Sequence, residues 1–145
     1  CIARLSGVAV KLAYVDACVW ITLVEGIDHY RPPIRAALAA LAENGWELCS
    51  SNAVRLEVLI RPQRLKQDQL VDLYLGLLDA NRDLSIPESV FADALPVARI
   101  EGLKAMDAVH VVIAKFHGCE RFVTTDPHFN SLKAIQSECI VLPAD

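Results

Sequence analysis

Residues 103–129 read LKAMDAVHVVIAKFHGCERFVTTDPHF. The first half predicts a helix, because Met106, Val109, Ile113 and Phe116 recur at spacings of three and four and so share one buried stripe. Gly118 ends that helix as a C-terminal cap. Phe122, Val123, Thr124 and Thr125 then predict a short strand that stops at Asp126. The segment sets one carboxylate, Asp107, near a helix start and a second, Asp126, at the C-terminal end of a strand. Open α/β sheets gather their chemistry at that end.

The same alternation runs through the rest of the chain. LAYVD at 12–16 is a compact apolar run ending in an acid, as a buried central strand would be. A helix over 18–25 is closed by Gly26. Pro32 and Pro33 suit the first turn of the next helix, which stops at Asn44-Gly45. A second strand covers 46–50, and Ser51 or Asn52 caps a helix over 53–60 that Pro62 punctuates. The span 66–81 predicts a helix with Leu70, Leu73, Tyr74 and Leu77 on its apolar face. An edge strand follows at 84–86, where Ser85 and Glu88 also fit a capping box. A helix over 88–101 is kinked or divided by Pro96, and a last strand lies at 139–142. Strands alternating with helices imply a parallel sheet covered on both faces, hence a three-layer α/β/α fold with four to five strands.

A length of 145 residues suits one domain, assigned to 10–145. Residues 1–9 carry no initiator Met and too short an apolar run for a signal peptide, so they are read as an N-terminal extension. The formal charge of −4 argues against holding nucleic acid by overall attraction alone. It leaves a nuclease open, since a metal site needs acids. The five cysteines form no C-x-x-C pair and are expected reduced and mostly buried, as in a cytoplasmic protein. No apolar run approaches the roughly 20 residues of a membrane span.

Four carboxylates stand out by context: Asp16, Glu57, Asp107 and Asp126. Each has a structural alternative. Asp16 and Asp126 could cap the helices that follow them, the second with Pro127 behind it. Glu57, set in VRLEVLI, could pair with Arg61 one turn on. Asp107 could pair with Lys104 or simply favour a helix N-terminus. As a set they carry more information. Carboxylates about 4 Å apart repel by roughly 4 kcal/mol at an effective dielectric of 20. Such a cluster takes up protons or binds cations, and all-oxygen ligands select Mg²⁺ or Mn²⁺. Such ions could activate a water and steady the leaving oxygen of a phosphodiester.

The order and spacing of YVDA at 14–17, SSNAVRLE at 50–57, LKAMDAVH at 103–110 and TTDPHF at 124–129 resemble the PIN domain family, and within it the VapC-type toxins of toxin–antitoxin pairs. The resemblance covers nearly all of the chain from Leu12 onward. It implies that Asp16, Glu57, Asp107 and Asp126 hold Mg²⁺ or Mn²⁺, with Thr125 as a supporting polar group. It implies an endoribonuclease that hydrolyses RNA, is silenced by a cognate antitoxin protein and is a cytoplasmic homodimer. Arg55 stands where the family commonly has a small hydroxyl residue and is read as an RNA or antitoxin contact. Pro96 is a second departure.

Arg55, Arg61, Arg64 and Lys66 form a modest basic group, either a solvated face or a set of RNA phosphate contacts, with Arg55 and Arg61 the candidates. His110, one turn past Asp107, is read as a hydrogen-bonded structural residue, and His128 as a loop residue. No G-x-G-x-x-G follows the first strand and no P-loop is present, which removes dinucleotide-binding and P-loop readings. No ligand spacing suggests zinc. The alternative from another class is a non-catalytic PIN-like module that binds RNA or a protein regulator.

Overall fold

The computed structural model describes residues 10–144; the expected extension at 1–9 lies outside them. Among the described residues five strands form one sheet: β1 (Lys11–Val15), β2 (Trp46–Ser51), β3 (Arg82–Leu84), β4 (Arg121–Thr124) and β5 (Gln136–Cys139). Their order is β3-β2-β1-β4-β5, and each adjacent pair is parallel. Six helices flank the sheet: α1 (Ala17–Glu25), α2 (Arg31–Glu43), α3 (Asn52–Arg64), α4 (Asp68–Asp79), α5 (Val90–Glu101) and α6 (Ala105–Phe116). This is the expected three-layer α/β/α arrangement. None of these helices is long and apolar enough to cross a membrane.

β1 suits the middle of the sheet because its last three residues are covered on both faces. Ala13, Tyr14 and Val15 are all buried, as they must be between two neighbouring strands and two helical layers. From β1 the chain builds outward through β2 and β3, then crosses back to lay β4 and β5 on the other side. The strand order therefore reverses between β1 and β4. In open parallel sheets that reversal opens a crevice at the carboxyl ends of the strands. Asp16 follows β1 directly, and Asp126 lies two residues beyond β4.

Several local expectations are corrected. The helix α6 does not bury a single stripe: every residue from Ala108 to Ala114 is buried, and Phe116, placed on the stripe, is 63% exposed in the last turn. On α4 the apolar face centres on Tyr74 and Leu78, leaving Leu73 exposed. The edge strand β3 comes two residues earlier than expected, and β5 three residues earlier than the expected start at 139. The expected capping box does not start α5, which begins at Val90 behind Ser89.

Neither proline ends its helix. Pro62 sits in the last turn of α3 and Pro96 in the middle of α5, each removing one helical N–H while the helix runs on past it. Gly118 does cap α6, at φ 73°, a backbone conformation that glycine adopts without penalty. Gly26 closes α1 for another reason: its φ is −73°, but a Cβ there would lie 2.3 Å from the Thr22 carbonyl oxygen. Cys18, Cys49, Cys119 and Cys139 carry free thiols, two buried and two half-buried.

Candidate metal centre

Strand pairing carries Asp16 to the crevice. Its amide donates to the Val123 carbonyl at 2.9 Å, continuing the β1–β4 ladder by one residue. Its carboxylate then caps α1, Oδ1 accepting from the Ala17 amide at 2.8 Å. Oδ2 accepts from the Thr124 hydroxyl at 3.1 Å and from the Cys18 thiol at 3.2 Å. The capping alternative is thus correct as geometry, but it leaves Asp16 buried, 6% exposed, beside other ionisable groups. Burial pushes its pKa up. His110, Cys18 and Thr124 oppose that, and the charge of Glu57 adds to it. The Cys18 thiol is itself pushed up to about 11, by burial and then by the Asp16 charge.

Glu57 lies in the second turn of α3, which starts immediately after β2. It does not pair with Arg61 as the structural alternative would have it. Its Oε1 is in hydrogen-bond contact with His110 Nε2 from α6. His110 Nε2 is also 4.0 Å from Asp16 Oδ1. Asp16, Glu57 and His110 each present one ligand atom, and the three atoms lie within 4.8 Å of one another.

Asp107 occupies the first turn of α6. Its pKa is raised, first by burial and then by the charge of Asp16, with Asp126 and Glu57 adding smaller amounts and His110 opposing. Asp107 is therefore close enough to the other three acids to feel their charge, though outside the tightest group. Asp126 caps the short turn Pro127–Ser131, accepting from the His128 amide at 2.9 Å and contacting the His128 imidazole at 2.7 Å. Here the shift runs the other way. Burial raises Asp126 somewhat, but the His128 amide and imidazole, with the charge of Lys104, hold it below the usual carboxylate range.

Two threonines stand where β4 ends. Thr125 is half-buried and offers its backbone amide to the Cys18 sulfur at 3.5 Å. The hydroxyl that serves the acids is that of Thr124, fully buried, which donates to Asp16 and accepts from the Asp126 amide at 3.0 Å. Period-two alternation was the available signal, since Thr124 and not Thr125 shares the face of Asp126. The same rule puts Tyr14 on the face of Asp16. Tyr14 OH lies 2.7 Å from His110 Nδ1 and 2.7 Å from Ser51 Oγ, so a buried polar chain runs from β2 through β1 to α6 and Glu57.

Of the two basic candidates, Arg61 lines a cleft of about 480 Å³ together with Glu57, Glu25, Tyr30 and Leu142. Arg55 lies away from it, donating to Asp79 of α4 at 2.7 Å.

The donor set suits a divalent cation: carboxylates too close to be ionised together in comfort, plus one imidazole nitrogen. A model of the PIN domain matches residues 13–135. Among curated proteins nothing matches. Among solved structures, DNA-bound VapBC from Salmonella typhimurium aligns at a TM-score of 0.72 and 14% identity, over 92% of this chain and 100% of that one. A toxin–antitoxin complex from Klebsiella pneumoniae aligns at 0.67 and 20% identity, over 85% and 94%. Mycobacterium tuberculosis VapC20, a sarcin–ricin loop cleaving toxin, aligns at 0.61 and 15% identity, over 76% and 86%. At these identities the likeness is one of fold. PIN-domain nucleases use divalent metal ions. The family model takes in all four acids, and the chain belongs to the PIN domain family.

Proposed function

We propose that this protein is a Mg²⁺- or Mn²⁺-dependent endoribonuclease, the toxin of a toxin–antitoxin pair. The observation that carries the reading is the convergence of Asp16, Glu57 and His110 at the β1–β4 switch point, with Asp107 near enough to feel the charge of the other acids. Similarity to toxins crystallised with their antitoxins, and to one that cleaves the sarcin–ricin loop, supports RNA as substrate and a cognate antitoxin as partner.

In this reading Asp16, Glu57, Asp107 and Asp126 hold the cation. When bound, it supplies Lewis acidity and lowers the pKa of a water for attack on a phosphodiester. The protein supplies the positioning. Thr124 and the Ala17 amide fix the Asp16 carboxylate. The His128 amide and imidazole fix Asp126 in its ionised form. Arg61, exposed on the rim beside Glu57, binds RNA phosphate. The homodimer expected from the family is supported by an apolar surface on α5 and α6, where Phe91, Leu95 and Phe116 are exposed.

The test is cleavage of RNA with Mg²⁺ or Mn²⁺, with and without chelator, by the wild type, Asp16→Asn and Asp107→Asn. Cleavage that needs the metal and both acids is expected. Equal activity in all samples overturns the metal-nuclease reading, and RNA binding without cleavage by the wild type replaces it with the non-catalytic module.

A further inference from the structure

We infer that His110 is a nitrogen ligand of the metal centre, so that the site binds Mn²⁺ in preference to Mg²⁺. The inference rests on the divalent-metal reading above and changes its ligand set. The sequence suggested oxygen ligands only, with His110 as a structural residue.

The geometry favours ligation in three ways. First, His110 Nε2 lies between two of the acids, in contact with Glu57 Oε1 and 4.0 Å from Asp16 Oδ1. Ligands about 2.1 Å from an octahedral ion lie roughly 3 to 4.2 Å apart, so the Asp16 spacing already fits and the Glu57 contact needs only to open. Second, the ring is held in place. His110 is 0% exposed, and Tyr14, which holds its Nδ1, is itself fully buried and stacked on Phe122. Third, the other ring nitrogen has the partner that metal-bound imidazoles require. Such histidines give their second N–H to an oxygen that fixes ring orientation and tautomer. Tyr14 OH, 2.7 Å from Nδ1, can take that N–H while donating its own hydrogen to Ser51 Oγ, also 2.7 Å away.

A hydroxyl is suited to that place because it both donates and accepts. Imidazole suits transition ions, whereas Mg²⁺ keeps to oxygen.

Pulsed electron paramagnetic resonance on the Mn²⁺-loaded full chain tests the assignment directly. Nitrogen modulation is expected, changing frequency on ¹⁵N-histidine labelling and retained in Mn²⁺-loaded His128→Ala, His128 being the exposed histidine in contact with Asp126. Bound Mn²⁺ without nitrogen modulation, in the wild type or in His128→Ala, overturns the inference and leaves the metal site standing. No Mn²⁺ binding at all overturns both. Calorimetry gives a second readout. The wild type is expected to bind Mn²⁺ at least about tenfold more tightly than Mg²⁺, and His110→Gln to lose about tenfold of that preference. An unchanged ratio overturns the inference; should His110→Gln not fold, the wild-type spectrum decides.

Discussion

The Thr124 hydroxyl donates to Asp16 Oδ2 at 3.1 Å, joining the carboxyl ends of β4 and β1 across 108 positions of sequence. The Thr124 hydroxyl oxygen also accepts from the Asp126 amide, so one side chain sets the position of two acids. Thr124→Val keeps the shape and removes both bonds. It is expected to destabilise the fold by about 1–3 kcal/mol, because polar groups in a buried site lose their partner, and to reduce cleavage. Thr125→Val, at a half-buried position, is expected to change the melting temperature little. Thermal melts and cleavage rates of the two variants check the contrast; equal effects would return the supporting role to Thr125.

Burial raises the pKa of Asp16, so the ionised carboxylate is less comfortable folded than unfolded. The sign follows. The proton bound more tightly by the native state stabilises it fully below the unfolded pKa near 3.8, and that contribution is lost as pH rises through the folded value. At neutral pH the site is therefore a net strain on the metal-free fold. Asp16→Asn keeps the cap acceptor and cannot ionise. It is expected to melt higher than the wild type at pH 7, by roughly 2–4 °C for each kcal/mol relieved, while losing cleavage. The difference should shrink towards pH 4. A variant that melts lower at pH 7 would show that the carboxylate is not strained.

Arg61 and Arg55 should separate by kinetics. Arg61→Ala is expected to raise KM several-fold with kcat nearly unchanged, and to lower the salt slope of RNA binding by about 0.7, as for one lost contact to a single-stranded phosphate. Arg55→Ala instead releases Asp79, and is expected to cost about 0.2–1 kcal/mol of stability, the usual worth of a partly exposed pair, with KM unaffected. A KM effect confined to Arg55 would reverse the assignment.

Phe91 and Leu95 on α5 are each 75% exposed and lie one turn apart, an arrangement that soluble proteins normally cover. Leu95→Glu is expected to convert a dimer to a monomer in light scattering at micromolar concentration, with an unchanged melt of the isolated subunit. A wild type that is monomeric at every concentration would remove the dimer.

Much of the architecture was legible in one dimension. The buried run ending in Asp16 announced a central strand, and the apolar segments alternating with capped helices announced a parallel sheet. Errors arose where periodicity gives a phase but not a neighbour. Phe116 continues the α6 pattern into a last turn that nothing covers, and Leu73 matches the α4 spacing one residue away from the face that packs. Pro62 was read as ending α3, though it falls in the last turn, where losing one N–H is tolerated; Pro96, read as kinking or dividing its helix, lies within an α5 that runs on for five more residues.

The sequence by itself determined the order of the elements and which carboxylates stand at their ends, because both follow from side-chain period, capping and local backbone preference. Only the tertiary structure decided that His110 meets Glu57 across 53 positions and that Thr124, not its neighbour, reaches Asp16. Those contacts depend on how a helix rotates against the sheet and on the pairing of β1 with β4, which are set by packing among distant residues and leave no trace in any short window of sequence.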